Sequence, residues 1–268
     1  MLCNKKLILS VFLLSSSTAF SGTMGEARAC SDLSCMPWFL EIGSGASWSN
    51  NADISVDYSR YDRSPEGYNS KLGTVPVYMA GVGYKVSPLL TLDANYNFRG
   101  IYNYSKFQTS VSNGALNPLG DKTRYFNLTS NSIMFNGTIN GKGVHESLVK
   151  DLNGHGSVQP FVGGGLGVSY NTVSNFHTKL ANSNISTVLQ DQTRASFAWQ
   201  LNAGIEWSVD RFSLDLGYRY FNAGTFVSND ALITRLNSAG TPINTNTIPK
   251  WTGQLSSNEL FLTAKIAF

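Results

Sequence analysis

Apolar and polar residues alternate along most of the chain after Trp38, with the period of two that is typical of β-strands with two different faces. The clearest segment is Leu90–Arg99, where polar residues alternate with Leu90, Leu92, Ala94, Tyr96 and Phe98. The same alternation recurs in Trp38–Trp48, Pro76–Val86, Leu128–Asn140, Gln159–Asn171, Phe197–Trp207, Phe212–Tyr220 and Glu259–Phe268. The pattern predicts eight antiparallel strands, each with one apolar face and one face of polar residues and glycine.

The connections between these strands differ in length on the two sides. Ser87–Leu89 and Ser208–Arg211 predict tight turns, and Gly141–Ser157 predicts a moderate turn with one helical turn. The connections on the other side are long and polar: Ser49–Gly73, Gly100–Asn127, Thr172–Arg194 and Asn222–Ser257. Long loops on one rim and short turns on the other are typical of outer-membrane barrels. A further hairpin within Gly100–Asn127 or Asn222–Ser257 would raise the strand count to ten.

A soluble, lipocalin-like barrel is the main structural alternative, because alternation alone does not reveal which face meets water. Aromatic residues near the ends of the apolar face favour the membrane, where Trp and Tyr prefer the headgroup level. Charged residues make up 14% of the chain, against about 25% in a typical soluble domain. No apolar run reaches the roughly 18 residues that a membrane-spanning helix needs. The sequence therefore predicts an all-β transmembrane barrel over residues 38–268.

The N-terminus has the features of a secretory signal peptide over residues 1–21. Lys5 and Lys6 precede the apolar run Leu7–Leu14, and Ala19–Ser21 fits the small-x-small cleavage rule. Cleavage would leave a periplasmic segment over residues 22–37. The chain has 20 basic and 17 acidic residues, and cleavage removes two of the basic ones. The net charge therefore falls from +3 to +1. The sequence contains no basic patch that would indicate a nucleic acid partner.

Cys30 and Cys35 are the two cysteines that remain after cleavage. A disulfide is favoured over free thiols, because the periplasm is oxidising. Two thiols without a nearby histidine fall short of a tetrahedral metal site. A lipid anchor on Cys30 is not expected, because a lipoprotein signal is apolar just before its cysteine and this chain has Glu26 and Arg28 there. The sequence predicts no metal site and no cofactor.

Charged residues occur on the polar faces of the predicted strands, which an eight-stranded barrel turns toward its lumen. They are Glu41, Lys85, Asp93, Arg99, Glu206, Asp215, Arg219 and Lys265. Side chains fill the lumen of so small a barrel, and buried charges must pair there. The favoured interpretation is an ion-paired network that closes the lumen and fixes the strand register. A polar path for ions or small solutes is the alternative.

No set of catalytic residues stands out from the sequence. His145 and His155 fall in a periplasmic turn and His177 in an outer loop, and no Gly-x-Ser-x-Gly elbow is present. Glu206 and Asp215 are an acidic pair that ion pairing inside the barrel explains better than acid–base chemistry. We therefore expect no enzymatic activity.

The long outer connections carry aromatic and basic residues that are expected to be exposed. Two interpretations of the aromatic residues are equally favoured: contact with host surfaces or phage, and simple extension of the strands above the membrane. The aromatic set is Tyr61, Tyr102, Tyr104, Phe107, Phe226 and Trp251. Pairing with lipopolysaccharide phosphates is expected of the basic set: Arg60, Arg63, Lys106, Lys122 and Arg124.

The glycine-rich strands, the segment Leu214–Tyr220 and the terminal Phe268 together resemble the small outer-membrane β-barrel family. This family includes outer-membrane protein A barrels, outer-membrane protein X-like adhesins and opacity-type surface proteins, and the resemblance covers Trp38 to Phe268. It implies a bacterial outer-membrane location. It also implies that the outer-membrane assembly machinery reads alternate apolar residues of the last strand, which face lipid as well: Leu260, Leu262, Ile266 and Phe268.

Functions within such a family are diverse, so the resemblance restricts function only weakly. The leading hypothesis is a surface protein with a structural or interaction role, like an adhesin or antigen. The alternative is a narrow porin-like channel. The expected partners are outer-membrane lipid, lipopolysaccharide, the assembly machinery and host surface molecules bound by the outer loops.

Overall fold

The computed structural model describes residues 37–56, 71–108, 111–112, 115–116, 122–180, 186–236, 242–248 and 250–268. Within these residues, eight long strands form a closed ring: β1 (Trp38–Ser49), β2 (Thr74–Lys85), β3 (Leu90–Gln108), β4 (Lys122–Asn140), β5 (Ser157–Leu180), β6 (Gln192–Val209), β7 (Phe212–Val227) and β8 (Trp251–Ala267). Each strand pairs with the next in antiparallel orientation, and β1 pairs with β8 to close the ring. The predicted eight-stranded antiparallel barrel is confirmed.

Shorter elements decorate this ring. Ser55–Val56 pairs with β8, while Lys150–Asp151 and Ser186–Val188 pair with β5. Two hairpins form sheets of their own: Val111–Ser112 with Ala115–Leu116, and Ala231–Leu236 with Pro242–Ile248. Both predicted positions therefore hide a hairpin, but neither hairpin joins the ring, so the barrel keeps eight strands.

Within the described residues, helical structure is confined to the connection between β4 and β5. There α1 (Gly141–Val144) is followed by a 3-10 turn, Glu146–Leu148. Across the described ranges, no helix is both long enough and apolar enough to cross a membrane. The predicted signal peptide, residues 22–36, Cys30 and Cys35 lie outside the described residues, so these expectations stay predictions.

The two ends of the barrel wall meet at one rim. The backbone amide of Phe268 donates to the carbonyl oxygen of Trp38 at 2.9 Å. The connections after β2, β4 and β6 also lie at this rim. In such barrels the short turns, the start of the first strand and the end of the last strand lie on the periplasmic side. We therefore assign this rim to the periplasm and the other rim to the cell exterior.

Apolar side chains cover the outer wall of the periplasmic half. Ile42, Phe135 and Phe197 are more than 60% exposed, whereas Glu41 and Gln200, one or three positions away, are buried inside. A soluble barrel would bury its apolar face, so the lipocalin-like alternative is excluded. Ten residue steps from Trp38 to Trp48, at about 3.3 Å each and a tilt of roughly 40°, span about 25 Å, the height of a transmembrane apolar band.

Aromatic residues mark both edges of this band. Trp38 and Tyr84 pack edge to face at the periplasmic edge, with ring centroids 4.9 Å apart. Trp48 and Tyr218 lie 6.5 Å apart at the other edge. Such girdles place amphipathic rings at the two headgroup levels, which fixes the position of the barrel in the bilayer.

The strands continue well beyond the outer girdle, and here the predicted loop boundaries are wrong. β3 runs to Gln108, β4 begins at Lys122 and β5 runs to Leu180. β7 and β8 likewise extend into the predicted loop Asn222–Ser257. Large parts of three expected polar loops are therefore barrel wall outside the membrane.

Three ascending strands carry a β-bulge near the outer girdle. The extra residues lie between Arg99 and Tyr102 in β3, near Asn175 in β5, and between Asn222 and Gly224 in β7. Asn175 has a φ of 51° and Gly224 a φ of 70°, the left-handed backbone that such bulges often use. Each bulge shifts the alternation by one residue, so different positions face inward above it.

Above the bulges the barrel reverses its polarity. Tyr102 and Phe126 point inward and are at most 2% exposed, whereas Asn103 and Ser105 point outward and are exposed. The periplasmic half thus has an apolar exterior and a polar lumen. The extracellular half has a polar exterior and an apolar interior, as a soluble barrel does.

Candidate functional site: the barrel lumen

Glu259 holds two arginines at the middle of the lumen, and we call Arg99, Arg219 and Glu259 the arginine–glutamate cluster. Arg99 Nε lies 2.7 Å from Glu259 Oε1, and Arg219 Nη2 lies 2.6 Å from Glu259 Oε2. All three side chains are at most 1% exposed. Buried charges are retained in a barrel only when they are paired in this way.

Further contacts hold the arginine–glutamate cluster in place. The hydroxyls of Ser47 and Ser257 donate to Glu259 Oε1 at 2.9 and 3.1 Å. The Arg99 guanidinium lies 3.4 Å from the ring centroid of Phe221, which is a cation–π contact. The cluster therefore joins β1, β3, β7 and β8 across the lumen.

Lys265, Asp215 and Glu206 form a second ion-paired group nearer the periplasm, which we call the lysine–acid cluster. Lys265 Nζ lies 2.5 Å from Asp215 Oδ2 and 3.8 Å from Glu206 Oε2. Gln159 Nε2 donates to Glu206 Oε1 at 2.7 Å. One ammonium is thus shared between two carboxylates.

Amide side chains connect the remaining carboxylates. Asn95 Nδ2 donates to both Glu41 and Asp93, at 3.2 and 3.0 Å. Asn136 Nδ2 donates to Asp93 at 2.5 Å, and Gln200 Nε2 donates to Asn136 at 2.6 Å. A cavity of about 30 Å³ remains among these groups, which is room for about two water molecules.

An apolar core fills the lumen on the extracellular side of the arginine–glutamate cluster. We call this the extracellular core; its largest members are Tyr102, Tyr104, Phe126, Phe176, Phe221, Phe226 and Trp251. Ring centroids lie 4.5 Å apart for Tyr104 and Phe126, and 5.7 Å apart for Phe176 and Trp251. The Tyr102 hydroxyl is 2.7 Å from the Ser47 hydroxyl, which links the core to the cluster below. The buried side chains of Lys106 and Arg124 lie in the same part of the lumen as these aromatic residues.

Each charged residue predicted for the lumen has a defined place. Arg99 and Arg219 belong to the arginine–glutamate cluster, and Glu206, Asp215 and Lys265 to the lysine–acid cluster. Glu41 and Asp93 lie in the amide network. Lys85 lies at the periplasmic mouth, and no described carboxylate lies within 4.0 Å of its ammonium.

Sequence reasoning missed Glu259, the residue at the centre of the lumen. The sequence contained the signal, because Glu259 lies six residues before Lys265 in the same strand, and residues an even number of positions apart share one face. Extending the alternation to the first residue of the predicted strand would have identified it.

Several residues of the expected outer loops lie inside the barrel instead. Tyr102, Tyr104, Phe226 and Trp251 are at most 2% exposed, whereas Phe107 is 57% exposed as predicted. Their burial follows from the bulges and the reversed polarity. Tyr61 lies outside the described residues.

Two residues of the basic set are also buried. Lys106 and Arg124 are 6% and 3% exposed, and the Arg124 guanidinium lies 4.7 Å from the Trp251 ring centroid. Their predicted pairing with lipopolysaccharide is wrong, because they point into the lumen. Arg60 and Arg63 lie outside the described residues, as does the Lys122 side chain.

The apolar residues of the expected assembly signal lie on the lipid-facing side of β8. Leu260, Leu262, Ile266 and Phe268 are between 49% and 58% exposed. Their recognition by the assembly machinery stays a prediction. The absence of enzymatic activity also stays a prediction. Within the described ranges, no group of three His, Cys, Asp or Glu side chains forms a potential metal site.

Comparison with known proteins gives matches only among solved structures. No family model and no curated protein matches the chain. Neisserial surface protein A is 14% identical, with a TM-score of 0.38, 86% of this chain covered and 97% of that one. The outer membrane protein OprG from Pseudomonas aeruginosa is 13% identical, with a TM-score of 0.45 and coverages of 86% and 96%. The outer membrane protease OmpT from Escherichia coli is 9% identical, with a TM-score of 0.33 and coverages of 87% and 97%.

The strand pairing, the exposed apolar band and the two aromatic girdles are sufficient to assign the fold and the location of the chain. A closed antiparallel ring satisfies every strand edge, which is the condition for spanning lipid with β-structure. These features place the chain in a bacterial outer membrane as an eight-stranded transmembrane β-barrel.

Proposed function

We propose that this protein is a closed, non-conducting barrel that acts at the cell surface as a structural or interaction protein. The observation that carries the proposal is the wall that continues beyond the membrane around the extracellular core. A tilted transmembrane strand needs only about 9–11 residues. β5 has 24 residues, so most of its outer half serves something other than crossing the bilayer.

The extracellular half supports this role because it is built as a rigid platform. The ten residues of β5 after Tyr170 span roughly 25 Å along the barrel axis at the same rise and tilt. The hairpin Ala231–Leu236 with Pro242–Ile248 is attached to this platform between β7 and β8. Rigid scaffolds that present variable surface segments are a common basis for binding.

Ion conductance tests whether the lumen is closed. We expect the refolded mature protein to give no discrete openings in a planar bilayer, because the extracellular core and the arginine–glutamate cluster fill the lumen in series. Heat-modifiable gel migration of the same sample shows that the barrel has folded. Stable, ion-selective openings of a folded sample would contradict the proposal and favour the channel alternative.

Surface display is tested with an epitope tag between Leu236 and Pro242. Antibody should label intact cells that carry this variant, because the hairpin projects from the extracellular half. A matched variant carries the same tag at Gly154, in the connection between β4 and β5, and should be labelled only after the outer membrane is permeabilised. The opposite pattern would overturn the assigned orientation and the surface role.

A further inference from the structure

A second cavity opens at the periplasmic mouth of the barrel. It has a volume of about 270 Å³ and lies between the start of β1, the turn after β2, and the bases of β4 and β5. Lys85, Ser87, Asn140, Lys142 and Gln159 contribute its polar lining. We call it the periplasmic cavity. It is separate from the small cavity among the carboxylates of the lumen.

The charge of the periplasmic cavity is positive. Lys85 and Lys142 both line it, and no Asp or Glu is among the described residues that do so. Glu206 lies beside the cavity and accepts a hydrogen bond from the lining residue Gln159, and the Lys265 ammonium binds both Glu206 and Asp215. Lys85 is therefore left without an ion-pair partner among the described carboxylates.

Hydrogen bonding orients a further donor. Ser87 Oγ accepts from the backbone amides of Leu89 and Leu90, at 3.2 and 3.0 Å. Because these bonds use both lone pairs, the Ser87 hydroxyl proton is left to donate to another group. The Gln159 carbonyl oxygen is satisfied by the amide of Lys142 at 3.0 Å.

We propose that the periplasmic cavity binds a phosphate monoester. Such a group carries a charge of about −1.5 to −2 at neutral pH, which matches two ammonium groups. Its oxygens accept charge-assisted hydrogen bonds from the two lysines and a neutral one from Ser87. The group can come from the headgroup of a periplasmic-leaflet lipid or from a soluble phosphate ester.

Binding of inorganic phosphate tests the site directly. The full mature chain, refolded in a phosphate-free maltoside detergent, is titrated with inorganic phosphate while ³¹P line broadening is recorded. We expect saturable binding that weakens at least tenfold in the double variant Lys85→Met and Lys142→Met. Lys150→Met removes an exposed lysine from the same rim, outside the cavity, and should bind phosphate as the unsubstituted chain does.

The outcomes separate the site from adventitious binding and distinguish its two sources. No saturable binding, an unchanged affinity in the double variant, or an equal loss in Lys150→Met would overturn the proposal. Heat-modifiable migration confirms that each variant is folded. Phosphatidic acid added to the micelles should displace phosphate if the ligand is a lipid headgroup. Displacement by glycerol phosphate alone assigns the site to a soluble ester.

Discussion

Replacing Glu259 by Gln should lower the free energy of unfolding by about 3–5 kcal/mol. The substitution keeps the shape of the side chain but removes the only carboxylate that contacts both Arg99 and Arg219 among the described residues. Two fully buried guanidinium groups would then repel each other without a counter-ion. Urea unfolding of the refolded barrel in lipid vesicles measures the loss.

An exposed acid provides the matched control for this experiment. Asp230 is 52% exposed and lies 3.9 Å from Lys250, so Asp230→Asn should change the free energy of unfolding by less than about 1 kcal/mol. Adding Arg99→Met and Arg219→Met to Glu259→Gln should restore much of the stability, because the uncompensated charges are gone. Equal losses in Glu259→Gln and Asp230→Asn would show that the arginine–glutamate cluster does not stabilise the barrel.

Truncating Trp251 to alanine should cost about 3–5 kcal/mol of unfolding free energy. The indole is 1% exposed, packs against Phe176 and lies under the Arg124 guanidinium. Its removal leaves a large cavity in the extracellular core. The same urea titration in vesicles measures the change.

Phe107 is the control that distinguishes the effect of burial from the effect of lying in the extracellular half. It lies on the same extracellular half but is 57% exposed, so Phe107→Ala should cost no more than about 0.5 kcal/mol. If the two variants are equally mild, the aromatic residues beyond the membrane are surface groups, as sequence reasoning expected, and the apolar core is absent in solution. A large loss in Trp251→Ala alone supports the filled barrel.

The membrane-embedded half of the fold could be predicted from the sequence because its alternation is uninterrupted. Leu90–Arg99 and Phe212–Tyr220 each show an apolar lipid-facing series against a polar lumen series. Lipid demands an apolar exterior at every second position, so the pattern there is strong and has one phase.

The extracellular half could not be predicted for two physical reasons. The bulges after Arg99, near Asn175 and after Asn222 shift the period-two pattern by one residue, so the alternation appears to end there. Beyond them water replaces lipid as the outer solvent, and the apolar series moves to the inner face. Short polar residues such as Asn103 and Ser105 then resemble loop composition, although they belong to a strand.

The candidate site was predicted in composition but only partly in arrangement. The alternation along each strand predicts which charged residues face the lumen. It does not reveal which strands lie opposite each other, or at which height in the lumen each charge lies. The contact between Arg99 and Glu259 spans 160 positions of the chain and depends on the register of the ring. Lys85 looked like a lumen charge for the same reason, although it lies at the mouth.

The reversed polarity also limits how the barrel can be assembled. A finished extracellular half carries polar groups on its outer wall, and these cannot pass through hydrocarbon without a large desolvation cost. Its strands must therefore cross from the periplasm before the ring closes, sheltered from lipid. The aromatic core can pack only after they arrive outside. Once it has packed, sliding back would bring that polar wall into the bilayer, so core formation makes insertion a one-way step.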